Sequence, residues 1–111
     1  MTIVGLTEAQ TLLADEARSI MILDVRKPEE YDEGHLEGAT LIDVTDESFT
    51  DKVSELDASG EYLVYCKLGG RSAKAVEQLT QLGFNNIHDL EGGFTAWSDA
   101  ELPIETNKVD E

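Results

Sequence analysis

The chain has 111 residues, 41% apolar and 29% charged, which suits one globular domain with a modest core. Its net charge of −16, with 24 acidic residues against 8 basic ones, argues against nucleic acid as a partner, because neutralising phosphates takes a surplus of Lys and Arg. The single cysteine cannot close an internal disulfide or build a Cys-rich metal site, no leader pattern opens the chain, and no apolar run approaches the roughly 20 residues of a membrane helix; the expectation is a soluble, cytoplasmic protein with no membrane partner.

Thr7-Glu8-Ala9-Gln10 has the spacing of a capping box and predicts a helix to about Glu16. Ser19 to Leu23 is a short apolar run ending in Asp24, as in a buried strand, and Thr40-Leu41-Ile42 reads as another. Phe49 to Leu56 predicts a helix with Val53 and Leu56 facing inward. Tyr62-Leu63-Val64-Tyr65 is a third strand and leads directly into Cys66. From Ser72 to Leu82, Ala75, Val76, Leu79 and Leu82 share one helical face, which stops at Gly83. Asn86-Ile87-His88 predicts a last strand, and Gly93 to Ala100 a last short helix. Strands alternating with helices imply an α/β domain with a largely parallel sheet. The domain spans 1–105 on this reading, and 106–111 is a polar, acidic tail with little to hold it.

Within this acidic chain, the stretch from Tyr62 to Val76 contains no Asp or Glu and holds Lys67, Arg71 and Lys74, three of the eight cations. It also contains Cys66. A cysteine is often only a small core hydrophobe. Here the loop around it points to a thiolate or a bound anion instead. Gly69 and Gly70 allow the backbone to curl so that N–H groups converge, and a helix beginning near Ser72 adds its positive end. Arg71 offers a planar fork for an oxyanion. Ligands of open α/β sheets bind beyond the carboxyl ends of the strands. Cys66 stands at one such end, Asp24 and Arg26 at another.

Cys66-Lys67-Leu68-Gly69-Gly70-Arg71-Ser72 resembles the active-site loop of rhodanese-type sulfurtransferases. The likeness covers almost the whole chain. Leu23 to Tyr31 is similar to the family's first signature, Gly34-His35-Leu36-Glu37-Gly38-Ala39 follows at the expected distance with Glu37 where proline is common, and Glu91 to Trp97 resembles the closing motif. The resemblance implies an α/β, rhodanese-like three-layer fold, a five-stranded parallel sheet with helices on both faces. It also implies sulfane-sulfur transfer through a Cys66 persulfide. The donor would be a small anion such as thiosulfate, and the acceptor an external thiol, cyanide or a sulfur-accepting protein, since no second cysteine is present. Neither cofactor nor metal is implied. Lys67, Leu68, Gly69, Gly70, Arg71 and Ser72 would shape the substrate cradle, Arg71 binding the donor's anionic end and Ser72 capping the next helix.

Phosphatases on the related fold carry Cys-x5-Arg and a histidine before the cysteine. Cys66-x4-Arg71 is shorter and Tyr65 precedes it, so sulfur transfer is favoured over phosphate or arsenate chemistry. A module that only carries sulfur or docks a partner is the other alternative, with the acidic surface either simply solvated or serving a basic partner. A carboxylate close to Cys66 would oppose the thiolate, so Asp24 is expected to pair with an arginine or brace loop amides. Arg26 is assigned equally to a salt bridge or to the site edge, and His35 to a hydrogen-bonded turn. His88 has no metal-ligand companion in sequence, and Trp97 reads as a core aromatic.

Overall fold

The computed structural model describes residues 1–107. In chain order these are β1 (Thr2–Val4), α1 (Leu6–Ala14), β2 (Ile20–Asp24), α2 (Pro28–Glu33), β3 (His35–Leu36), β4 (Thr40–Leu41), α3 (Phe49–Ser54), β5 (Glu61–Tyr65), α4 (Gly70–Gln81), β6 (Asn86–Leu90), α5 (Gly93–Asp99) and β7 (Ile104–Glu105). Five strands form one parallel sheet in the order β1-β6-β5-β2-β4, and β3 pairs with β7 in a small antiparallel ribbon. No helix is long and apolar enough to cross a membrane among the described residues.

The side-chain alternation of β5 divides the interior. Tyr62, Val64 and Cys66 join Leu23, Val25, Phe49, Val53, Ala75, Val76 and Leu79 on the face covered by α3 and α4. Leu63 and Tyr65 turn the other way and join Ile22, Ala9, Leu36 and Trp97 on the face covered by α1 and α5. The result is the three-layer arrangement the family resemblance implied. It also fixes the site, because β2 and β5 run parallel with Asp24 opposite Tyr65, so both strands end at one edge of the sheet.

Several local expectations need correction. The first helix starts at Leu6 with Gly5 at its N-cap, so Thr7 lies inside the first turn and caps nothing; β1 runs so close to the helix that the chain turns before Thr7 is reached. Phe49 is buried with Val53, while Leu56 follows the end of α3 and packs against the core only in part. Leu82 is 39% exposed: α4 ends at Gln81, and Gly83 at φ +94° turns the chain so that Phe84 takes the buried place. Four elements have no counterpart among those expected from the sequence: β1, α2 and the two short strands of the ribbon, β3 and β7. The edge strand β1 pairs Thr2, Ile3 and Val4 with His88, Asp89 and Leu90. Helix α2 begins on Pro28 at its first position with Glu29 and Glu30 in its first turn, a recognisable start signal. Of the predicted tail, Asn107 is held by hydrogen bonds to Asp32, and 108–111 lie outside the described residues.

Candidate active site

Strand β5 delivers Cys66 to the carboxyl edge of the sheet, where the chain turns through 67–69 into α4. The Cys66 side chain is 1% exposed and forms the floor of a cleft of about 400 Å³ lined by Lys67, Leu68, Gly70, Arg71 and Lys74. Gly69 N–H donates to Cys66 Sγ at 3.0 Å. That approach depends on Gly69 standing at φ +143°, a conformation costly for any residue with a Cβ. Gly70 has no such requirement; it is the first helical residue and faces open space. The curl expected of two glycines is the work of Gly69.

The loop is held from behind by α5. Phe94 N–H donates to the Cys66 carbonyl at 2.8 Å and Thr95 N–H to the Lys67 carbonyl at 3.1 Å. Gly93 makes this docking possible, since a Cβ there would collide with the carbonyl oxygen of Cys66 and reach 2.7 Å from that of Lys67. Ser72 lies in the first turn of α4 rather than before it, so it is not the N-cap. Its buried hydroxyl donates to the Gly69 carbonyl at 3.1 Å. Leu68 is 67% exposed at the rim of the cleft.

Asp24 and Arg26 form a sealed pair, 0% and 3% exposed. Arg26 Nη2 and Nε donate to Asp24 at 2.7 and 3.0 Å, and Nη2 also donates to the Gly34 carbonyl at 2.6 Å. The guanidinium lies 4.4 Å from the centroid of the Phe94 ring. Burial alone would weaken Arg26's proton affinity, but the hydrogen bonds and charge of Asp24 more than offset it and raise its pKa. Tyr65 O–H donates to Asp24 Oδ2 at 2.7 Å and accepts from Leu36 N–H at 3.0 Å. Its phenol is pushed far up, first by burial and then by the Asp24 charge, and stays protonated. His35 is buried, with Nδ1 2.7 Å from the Tyr31 carbonyl and its ring stacked on Tyr31 at 3.7 Å.

Arg71 does not stand free over the cysteine. It forks onto Glu30 of α2, Nη1 to Oε1 at 2.6 Å and Nη2 to Oε2 at 2.9 Å, with the two side chains 29% and 27% exposed. The Arg71 hydrogen bonds pull the Glu30 carboxyl down to about 2 against a smaller opposing effect of burial, and Lys27 N–H adds a further bond to Oε1 at 3.3 Å. The carboxylate-free window around Cys66 is thus carboxylate-free only along the chain. Folding brings Glu30 to it from 41 residues away. Among the described residues, Lys67 and Lys74 have no carboxylate within salt-bridge distance.

A hollow larger than the cleft at Cys66, about 630 Å³ and lined by residues such as Leu13, Ile22, Leu36 and Trp97, lies away from it. It carries no cluster of reactive side chains, so chemistry rather than size marks the site. His88, on β6, has Nε2 2.8 Å from Glu61, which also takes Arg18.

The family model for the rhodanese-like domain matches residues 6–100. The chain belongs to this family. The rhodanese-like domain is 32% identical to thiosulfate sulfurtransferase 18 of Arabidopsis thaliana over 95% of the chain and 84% of that protein. It is 31% identical to the thiosulfate sulfurtransferase GlpE of Shewanella oneidensis over 82% of the chain and 88% of the relative. Among solved structures, the rhodanese-related protein from Thermoplasma volcanium superposes with a TM-score of 0.82 at 30% identity, covering 95% of the chain and 98% of that structure.

Proposed function

We propose that this rhodanese-like domain transfers sulfane sulfur through Cys66, taking it from thiosulfate or a similar small anionic donor. The observation that carries the reading is the Gly69 N–H directed at Cys66 Sγ at 3.0 Å on the floor of a cleft walled by Lys67, Arg71 and Lys74. An amide donor and nearby cations can hold the anionic sulfur through which the transfer passes.

The Cys66 thiolate attacks the outer sulfur of thiosulfate. A new S–S bond forms, the donor's own S–S bond breaks, and sulfite leaves with its electron pair. The enzyme then holds a persulfide anion. A second nucleophile attacks the outer sulfur, carries it away as thiocyanate when the nucleophile is cyanide, and the Cys66 thiolate is restored as leaving group. This is covalent catalysis in two steps with no net redox change. The deep placement of Cys66, 1% exposed, suits a donor that offers a single terminal sulfur atom. Lys67, Leu68, Gly69, Gly70, Arg71 and Ser72 form the cradle on this reading, with Asp24, Arg26 and His35 as its support. The lone cysteine leaves the acceptor to be an outside thiol, cyanide or a sulfur-accepting protein, in a compartment where thiols persist, as in the cytoplasm. We take 1–105 as the functional unit.

Intact-mass measurement tests the mechanism. Thiosulfate should add the mass of one sulfur atom, cyanide should remove it, and Cys66→Ser should show neither change nor thiocyanate release. Thiocyanate produced at the normal rate by Cys66→Ser excludes the mechanism.

A further inference from the structure

The arginine nearest the reactive sulfur is already occupied by an anion belonging to the protein. Both Glu30 oxygens take both terminal nitrogens of Arg71, the two-point geometry that an incoming oxyanion would itself use. The second arginine at this edge is closed as well, because Asp24, Gly34 and Phe94 surround Arg26. Among the described residues the cations left unpaired at the cleft are Lys67 and Lys74, and Asp43 adds further negative charge toward Arg71. Glu30 and Lys67 also line an adjoining cleft of about 290 Å³ beside Arg26 and Phe94, so the Glu30 carboxylate has open space next to it.

We infer that Glu30 is a specificity-determining residue of the sulfur-transfer site: it competes with the donor's anionic end for Arg71 and so selects against doubly charged donors relative to singly charged ones. This rests on the proposed sulfur transfer at Cys66 and adds to it the donor's charge as the selected property. A donor that brings an oxyanion to Arg71 must displace a half-buried carboxylate. A donor that relies on its reacting sulfur and an apolar body does not have to. The whole-molecule charge of −16 acts in the same direction at long range, but it is screened by salt, whereas the contact at Arg71 is screened much less.

Glu30→Gln separates competition from support, because the two roles move affinity in opposite directions. The glutamine retains the shape and one hydrogen-bond acceptor but removes the competing charge. Competition predicts that kcat/KM for thiosulfate, a dianion, rises about fivefold through KM, as expected for releasing one partly exposed ion pair. Benzenethiosulfonate, a monoanion with the same sulfane sulfur, should change less than about twofold by the same reasoning. Sulfite and sulfate should likewise protect the variant's Cys66 from iodoacetamide at lower concentration than in the unaltered protein, at fixed sodium chloride. Glu30→Asp retains the charge on a shorter arm and cannot keep both hydrogen bonds, so it should fall between the two. A drop in thiosulfate kcat/KM or weaker anion protection in Glu30→Gln overturns the inference, and so does an equal response to the two donors. The protection assay needs no turnover, so it decides the competition even if the unaltered protein gains no sulfur with thiosulfate. That latter result would refute the proposed reaction, not the pairing.

Discussion

Two arginine–carboxylate pairs flank the same strand edge, and they differ in almost everything except chemistry. Asp24–Arg26 is closed off from water, joins residues two apart in sequence, and has every strong partner supplied by the protein. Glu30–Arg71 joins α2 to the start of α4 across 41 residues and stays more than a quarter exposed on both sides. Removing one partner of a sealed pair strands an uncompensated charge, whereas water can replace a partner in an exposed one. The first pair is therefore a fixture, and the second is able to exchange partners.

The difference can be broken experimentally, starting with the fixture. Asp24→Asn should lower unfolding stability by about 3–5 kcal/mol, because Arg26 would keep its charge with its main partner neutralised. Urea denaturation measures this, and a loss below about 1 kcal/mol would mean that water reaches the pair. Tyr65→Phe tests the same cluster more gently. It deletes the donor to Asp24 and orphans the buried Leu36 N–H, and should cost about 1–3 kcal/mol. Smallest is the effect of Glu30→Gln on stability, within about 1 kcal/mol at neutral pH.

Acid sharpens that last case. The folded Glu30 carboxyl is depressed to about 2 from an ordinary 4.5. The stability it contributes is therefore fully present above 4.5 and is lost as the pH falls toward about 2. The gap between the unaltered protein and Glu30→Gln should close across that window. A gap that instead widens on acidification would show that another group governs it.

The inner strands could be read in the chain because their signals are local. β2 and β5 are short apolar runs, the first ending in Asp24 and the second running from Gly60 into Cys66. Cys66 was legible for a similar reason, since its glycine, its arginine and the next helix start all lie within a few residues. What escaped is what depends on distance. β1 is three residues long and becomes a strand only because the edge of β6 is available to it. Thr7 has the right spacing for a cap, but β1 places the turn two residues earlier. The role of Glu30 could not be inferred from a window around Cys66, because its partner lies on another element. Tyr65 was noted for what it is not, a histidine, while its hydroxyl function depends on Asp24 across the sheet.

The attachment of α5 to the loop carbonyls has a consequence for the order in which the protein is made. During synthesis the thiol leaves the ribosome well before Gly93, Phe94 and Thr95, the residues whose backbone fixes the Cys66 and Lys67 carbonyls. Until that last helix docks, the Cys66 and Lys67 carbonyls lack the two amides that fix them. A chain interrupted before Gly93 would contain the cysteine, Gly69, Gly70 and the arginine, yet lack the backbone that braces the loop from behind. The finished shape of the loop is thereby postponed until nearly the whole domain exists.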